Sequence, residues 1–458
     1  MPGADLASIP SKPAGGVLRV HPGNSRYFTD DSGKAIYMTG SHVWWNIVAK
    51  GGRNLPYSDA DFEAFLDYIE SFDHNFTRIW IGSAYPGYSA YPWQRTGPGD
   101  AADGKPKFDM TKLNPSYFDH LRDRLLRLQD RGMYFSVMFF GSFNGFKTSD
   151  KWKTVAWHPS NNINPELADA FDEKDGNSFF TTDPAALEIQ QLLVRRMIDT
   201  VGDLDNLTWE IMNEARFPTC ANWQNEMVNY VKSYEAGKPK QHLVGITAGP
   251  RKANELLKSG PADWISPSAK DGRYDYRRGG PAAYSDKIVI SDVDHLWAVA
   301  TDDTWLAIRK WVWQTFTRGN HPIFMDQYNS YEPRFGAYGE INPKWDPIRA
   351  AMGHTRRFAA EFADLAEMLP DESIADSGYC LADAGQEYLV YDPSGGTVVV
   401  NLAALQGTAS YKWFNPQTGK TVTGGSVNGG ENRTFRAPFS GDSVLHIIRL
   451  ITPQNKTH

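Results

Sequence analysis

Asn213-Glu214 stands directly after the apolar run Leu207–Met212. A polar pair there is poor core material, and an acid so placed is suited to proton transfer. A second acid, Asp292, follows the run Lys287–Ser291, with Asp294 two residues further on, and a third, Asp326, follows Pro322–Met325. Cleavage of a glycosidic bond uses two carboxyl groups, about 5–5.5 Å apart for retention of configuration and roughly 6.5–9.5 Å for inversion. One must keep its proton near neutral pH while the other stays ionised, a split that burial and neighbouring charges can produce. The alternative for each Asp is structural, as a helix cap or a loop anchor. Alternation along the fourth run puts Glu210 and Asn213, three positions apart, on opposite faces.

Arg78, inside Phe76-Thr77-Arg78-Ile79-Trp80, is a charge embedded in an apolar strand. An unpaired buried charge is costly, so Arg78 is expected to pair with a carboxylate at the mouth of the fold. His42, Trp44 and Trp45 after the first run, Asn144 after the third, and Trp297 after the seventh could line a sugar subsite. His42 and His295 could donate hydrogen bonds, but neither has metal-ligand spacing, and no metal or cofactor is expected. No Gly-x-Ser-x-Gly elbow, Walker-type loop or dinucleotide fingerprint opens a helix after a strand.

These residues need a frame, and the chain supplies eight strand candidates: Ala35–Gly40, Phe76–Ile81, Tyr134–Phe140, Leu207–Met212, His242–Thr247, Asp263–Ser266, Lys287–Ser291 and Pro322–Met325. Helical stretches alternate with them, as after Ser58 (Phe62, Phe65, Leu66, Ile69) and after Asp183-Pro184. Eight strands with intervening helices predict a (β/α)8 TIM barrel, whose working residues sit at the C-terminal strand ends. Beyond Pro370 helical patterns give way to short alternating runs, Glu387–Tyr391, Thr397–Leu402, Ser410–Phe414 and Ser443–Ile448, which predict a small antiparallel β-sandwich. The expected division is a flexible lead-in over 1–16, a catalytic barrel over 17–368 and a sandwich over 369–452. The stretches Gly82–Lys107 and Phe143–Thr182 are long enough to wall a cleft.

The 458 residues carry a formal charge of −7, which argues against a nucleic-acid partner. No apolar run approaches the roughly 18 residues that cross a bilayer, so no membrane span is expected. Fifteen Trp, 21 Tyr and 24 Phe suit stacking on sugar rings as well as core packing. Cys220 and Cys380 are too few for a disulfide framework. No signal peptide is visible, and the location stays open, secreted or periplasmic sites included.

Asn213-Glu214-Ala215 after strand four, Arg78 on strand two and a seventh strand ending on an acid resemble glycoside hydrolase clan A. More narrowly, Ala35–Trp44, Asp292–Trp297 and Tyr411–Pro416 are similar to apiosidase-like and cellulase-like barrels that carry a C-terminal domain labelled collagen-binding. The resemblance spans about Val17 to Leu450. It implies a retaining hydrolase of polysaccharides or oligosaccharides, with Glu214 as acid/base and Asp292 as nucleophile. Arg78 and Asn213 would hold the site's charge and the sugar's 2-hydroxyl, and the sandwich would brace the barrel. The sequence departs from the clan by Asp for Glu at the nucleophile and by Ser266-Pro267-Ser268 where many members place a His. Were Asp263–Ser266 no barrel strand, His295 would become the strand-six His and Asp326 the strand-seven acid. An inverting enzyme pairing Glu214 with Asp294 or Asp326, and a non-catalytic carbohydrate-binding protein, are the alternatives.

Overall fold

The computed structural model describes residues 4–5, 8–9, 11–43, 46–47, 58–81, 90–141, 148–213, 218–247, 254–267, 270–271, 274–275, 287–292, 304–326 and 343–450. Local signals set the helices. In α1 (Asp59–Ser71) the Ser58 hydroxyl accepts from Asp61 N–H while the Asp61 carboxylate accepts from Ser58 N–H, a reciprocal cap that starts the helix. Its Phe62, Phe65, Leu66 and Ile69 are buried on one face. In α2 (Pro115–Asp130) and α3 (Pro184–Val201) Pro occupies the first turn. Gly132 ends the α2 segment at φ +70°, where a Cβ would come within 2.3 Å of the Lys12 backbone.

Eight parallel strands form one sheet: β1 (Gly40–His42), β2 (Phe76–Ile79), β3 (Tyr134–Phe140), β4 (Leu207–Met212), β5 (Val244–Thr247), β6 (Trp264–Ser266), β7 (Ile288–Asp292) and β8 (His321–Met325). Their order, β1-β8-β7-β6-β5-β4-β3-β2, is that of a (β/α)8 barrel, nearly closed. Side chains complete the seam between β1 and β2. Asn75 Oδ1 accepts from Thr39 N–H at 2.9 Å, and His74 Nδ1 accepts from Ser41 N–H at 3.1 Å. Gly40 permits this approach, since a Cβ there would lie 2.2 Å from the Phe76 carbonyl oxygen.

Alternation divides each strand between two cores. Phe76, Trp264, Ile288, Ile290 and Ile323 face the barrel interior, which Leu18, Phe28 and Met38 plug from the N-terminal end. Ile79, Trp209, Ile211, Ile246 and Val289 face the helix layer with α1, α2, α3, α4 (Ala221–Glu235) and α5 (Asn254–Ser259). On the eighth strand Phe324 likewise packs outward, against α6 (Thr304–Thr317) and α7 (Asp346–Phe362). The short sixth strand pairs with both neighbours, so the alternative register, with Asp326 as the strand-seven acid, does not hold.

The C-terminal part is an antiparallel sandwich. Strands β9 (Leu369–Pro370), β10 (Cys380–Asp383), β11 (Glu387–Asp392), β13 (Thr408–Asn415), β14 (Lys420–Asn428) and β16 (Ser443–Arg449) join Ala4–Asp5 in a seven-stranded sheet. The pair β12 (Thr397–Asn401) and β15 (Asn432–Arg436) covers one face of it, around Val390, Val400, Trp413, Phe435 and Leu445. The other face, with Leu389, Tyr391, Phe414 and Val444, packs on Trp313 and Phe316 of α6 and Phe358 of α7.

Several expectations change. The first strand begins at Gly40, later than Ala35, because Ile36 bridges to Phe28 instead. Strands β14 and β15 escaped notice because β14 is largely exposed and carries Gly424-Gly425, which blurs apolar alternation. Residues 1–16 are not free in their described part. Ala4–Asp5 pairs with β14, Asp73 accepts from Ser8 and Ile9, and Asn206 Oδ1 accepts from Ala14 N–H at 2.9 Å. Cys220 and Cys380 are both buried and unpaired, one at the foot of α4 and the other in the sandwich.

Candidate active site

The C-terminal ends of β1, β2, β4, β5 and β7 converge on one guanidinium. Arg78 of β2 and Asp292 of β7 lie on the interior side of their strands, in line with Phe76 and with Ile288 and Ile290. Arg78 Nη1 donates to Asp292 Oδ2 at 2.8 Å. On its other edge Nε and Nη2 donate to the two oxygens of Glu210 at 3.1 and 2.5 Å, and Nη2 also reaches Asn213 Oδ1 at 3.1 Å. The expected pairing of Arg78 with a mouth carboxylate is present, with a second carboxylate added. The side chains of Arg78, Glu210, Asp292 and His42 are 3% exposed or less, so these interactions act in a medium that screens them little.

Glu210 and Asn213 were expected on opposite faces, yet they meet the same guanidinium. Asn213 lies one residue beyond the last residue of β4, in a turn, where strict alternation no longer applies. Thr247, at the end of β5, donates its hydroxyl to Glu210 Oε1 at 2.7 Å. Among the described residues, one guanidinium faces two carboxylates, so these three groups carry one negative charge in excess when His42 is neutral.

His42 of β1 sets its Nε2 2.8 Å from Asp292 Oδ2. The Trp80 indole N–H, which can only donate, points at His42 Nδ1 at 3.4 Å, and the two rings lie 13° from parallel. That leaves Nδ1 as acceptor and places the proton on Nε2, so His42 donates to Asp292. Asp292 Oδ2 thus accepts from a cation and from an imidazole. Both favour the ionised carboxylate. Asn46 ties the surrounding backbone, its amide donating to the Arg78 carbonyl at 2.6 Å and its oxygen accepting from Trp80 N–H at 3.0 Å.

Asp326 is placed differently. It follows β8 on the same side as Phe324, turned to the helix layer. There both its oxygens accept from Arg349 of α7, at 2.7 and 2.5 Å, and Arg349 also bonds Tyr68 and Asp346. Glu214, Asp294, His295, Trp297, Trp44, Trp45 and Asn144 lie outside the described residues.

Sequence reasoning missed Glu210, Thr247, Trp80 and Asn46. Glu210 had a usable signal, a charge inside an apolar strand, the same that marked Arg78. Beside the mouth, parts of the two long stretches are folded. A hairpin of Trp93–Asp100 and Pro106–Leu113 docks on the Asn-rich segment after β3, where Asn161 and Asn164 accept from Ala102 and Met110 N–H. Arg95 spreads over the Phe108 ring at 3.9 Å. No group of acidic, His or Cys side chains suited to hold a metal occurs among the described residues.

No curated protein matches this chain in sequence. Residues 366–447 match a family model described as "Putative collagen-binding domain of a collagenase". Residues 63–259 match a domain of unknown function, DUF6298. Among solved structures, a glycoside hydrolase superposes with a TM-score of 0.62 at 15% identity, over 95% of this chain and 97% of that one. A glycoside hydrolase of family 5 from Bacteroides vulgatus ATCC 8482 gives 0.65 at 14% identity, over 96% and 95%. At such identities the likeness shows the fold, and it extends through both the barrel and the sandwich.

Proposed function

We propose that this protein is a glycoside hydrolase that retains anomeric configuration, with Asp292 as nucleophile and Glu214 as acid/base, acting on a polysaccharide or oligosaccharide. The observation that carries this reading is Arg78, whose guanidinium bonds Asp292 at the end of β7 and Asn213 at the end of β4, the residue before Glu214. Strands four and seven face each other across a barrel mouth, the disposition that two carboxyl groups flanking one bond require. Asp292, held ionised by Arg78 and His42, would attack the anomeric carbon while Glu214 gives its proton to the leaving oxygen. Glu214 would then take a proton from the water that releases the sugar. Asp326 is disfavoured as a partner because Arg349 occupies both its oxygens in the helix layer.

Low identity lends the solved glycoside hydrolases to this reading through fold alone, and the site's own chemistry carries the rest. The sandwich, whose one face is covered by the barrel and the other by its own second sheet, would serve as a brace.

The test is hydrolysis of a panel of aryl glycosides and polysaccharides by wild type, Glu214→Gln and Asp292→Asn. The expected result is turnover in wild type and at least about a 10³-fold loss in each variant, the scale of removing a group that acts in the transition state. Azide should rescue Asp292→Gly as a glycosyl azide of inverted anomeric configuration. Full activity in Asp292→Asn would move the nucleophile to Asp294 or Asp326. Tight glycan binding with no turnover would favour a carbohydrate-binding protein.

A further inference from the structure

Glu210 has no part in the two-carboxylate reaction, yet it is the fully buried partner on which Arg78 is mounted. Its two oxygens take Nε and Nη2 of the guanidinium in the parallel fork that fixes both the plane and the direction of that group. Thr247, on the neighbouring strand, bonds Oε1 and holds the carboxylate in turn. With one edge of the fork so held, Nη1 is aimed at Asp292 Oδ2.

We infer that Glu210 is a positioning residue that sets the direction of Arg78 and, by sharing its charge, the proton affinity and nucleophilicity of Asp292. The inference rests on Asp292 being the nucleophile. A guanidinium paired with Asp292 alone would bring its whole charge to that carboxylate and make it a weak nucleophile. Glu210 takes up part of that charge. Among the described residues, the groups facing Asp292 are Arg78 from β2, His42 from β1, and Glu210 and Asn213 through Arg78 from β4. On the adjoining β8, Asp326 is neutralised by Arg349. Glu214, Asp294 and His295 belong to the same mouth by sequence and lie outside the described residues.

The sign follows from these charges. Removing the negative charge of Glu210 favours ionised Asp292, so Asp292 protonates at lower pH. The acid limb of kcat/KM, which reports the nucleophile in the free enzyme, moves down with it. Glu210→Gln is therefore expected to shift that limb down by about one pH unit and to lower the plateau kcat by about tenfold or more, with KM changed less than twofold. Glu210→Asp keeps the charge on a side chain one methylene shorter, which cannot reach both nitrogens. Its kcat should fall while its acid limb, with the charge retained and the bond to Asp292 weakened, does not move down.

Infrared difference titration of the intact chain, with the Asp292 band identified by its loss in Asp292→Asn, reads the same carboxyl without any substrate. In Glu210→Gln that band should protonate at lower pH than in wild type, which keeps the inference testable if no glycan is turned over. A wild-type protein without hydrolysis but with the shifted band would sink the glycosidase reading and leave the charge coupling standing. An unmoved acid limb and an unmoved band in folded Glu210→Gln would overturn the inference. Should Glu210→Gln fail to fold, Glu210→Asp decides: wild-type kcat there overturns the positioning role, and a lowered kcat with a limb that has not moved down supports it.

Discussion

Two aspartates end adjacent barrel strands and do opposite things, and one step of strand alternation separates them. Asp292 falls in line with Ile288 and Ile290 and faces the axis, whereas Asp326 falls in line with Phe324 and faces α7. Asp326 is fully buried against a fully buried Arg349, and its loss would leave the part-exposed Asp346 as the carboxylate still bonded to that guanidinium. Asp326→Asn is expected to cost about 1.5–3 kcal/mol of stability, read from chemical denaturation, while turnover by the folded fraction persists. Asp292→Asn should do the reverse, because Glu210 remains to neutralise Arg78. Loss of turnover in well-folded Asp326→Asn would restore it as a catalytic candidate. Both aspartates could be picked out in the sequence, and so could Arg78. Their roles could not be divided there, because the division depends on where each strand ends to within a single residue. The same limit hid the meeting of Glu210 with Asn213.

At the scale of elements, the short first strand depends on two histidines. His321 at the foot of β8 accepts from Met38 N–H through Nδ1 and donates from Nε2 to the Arg26 carbonyl. His74 before β2 accepts from Ser41 N–H through Nδ1 and donates from Nε2 to the Arg349 carbonyl. Each needs a bare Nδ1, so each must be neutral, and burial lowers both to about 4. In the unfolded chain such groups titrate near 6.5. Between pH 6.5 and 4 the unfolded state therefore binds more protons, and stability falls as pH falls through that window. Each histidine can contribute up to about 3 kcal/mol to the loss. His354 of α7, also lowered to about 4 by burial, adds to it. Denaturation midpoints at pH 7, 5.5 and 4.5 should decline steadily, and His74→Asn with His321→Asn should be weaker at pH 7 yet flatter across the series. Equal midpoints at pH 7 and 4.5 would refute the clamp. The strands that β-branched and apolar runs define, β3 and β4 above all, were legible to the residue. The first strand was not, since its closure rests on side chains from distant segments and on the bare Cα of Gly40.

At the scale of the whole molecule, the barrel and the sandwich share one apolar interface. Trp313, Phe316, Phe358, Leu365 and Met368 meet Leu381, Leu389, Tyr391, Phe414 and Val444, all nearly or wholly buried. Polar links run through it. Arg309 of α6 donates to Asp442, which also accepts from the Tyr391 hydroxyl at 3.0 Å, and the Asn24 amide bonds the Leu365 and Met368 carbonyls. His354 lies against the turn before β14, where a Cβ on Gly419 would come within 2.6 Å of its ring. Compositional change near Pro370 marked the passage from helices to strands. It carried no sign of this interface, because aromatic residues on α6 and α7 read equally well as barrel packing. Interfaces this apolar unfold with the domains they join. Scanning calorimetry of the intact chain is therefore expected to show one cooperative transition. Asp442→Asn, which removes the buried charge that Arg309 and the Tyr391 hydroxyl both bond, should lower that transition as a whole by about 1.5–3 kcal/mol. A chain ending at residue 368 should expose the aromatic face of α6 and α7 and be recovered as aggregate or as protease-sensitive material. Two separate transitions, with only the sandwich responding to Asp442→Asn, would show instead that the two parts stand independently.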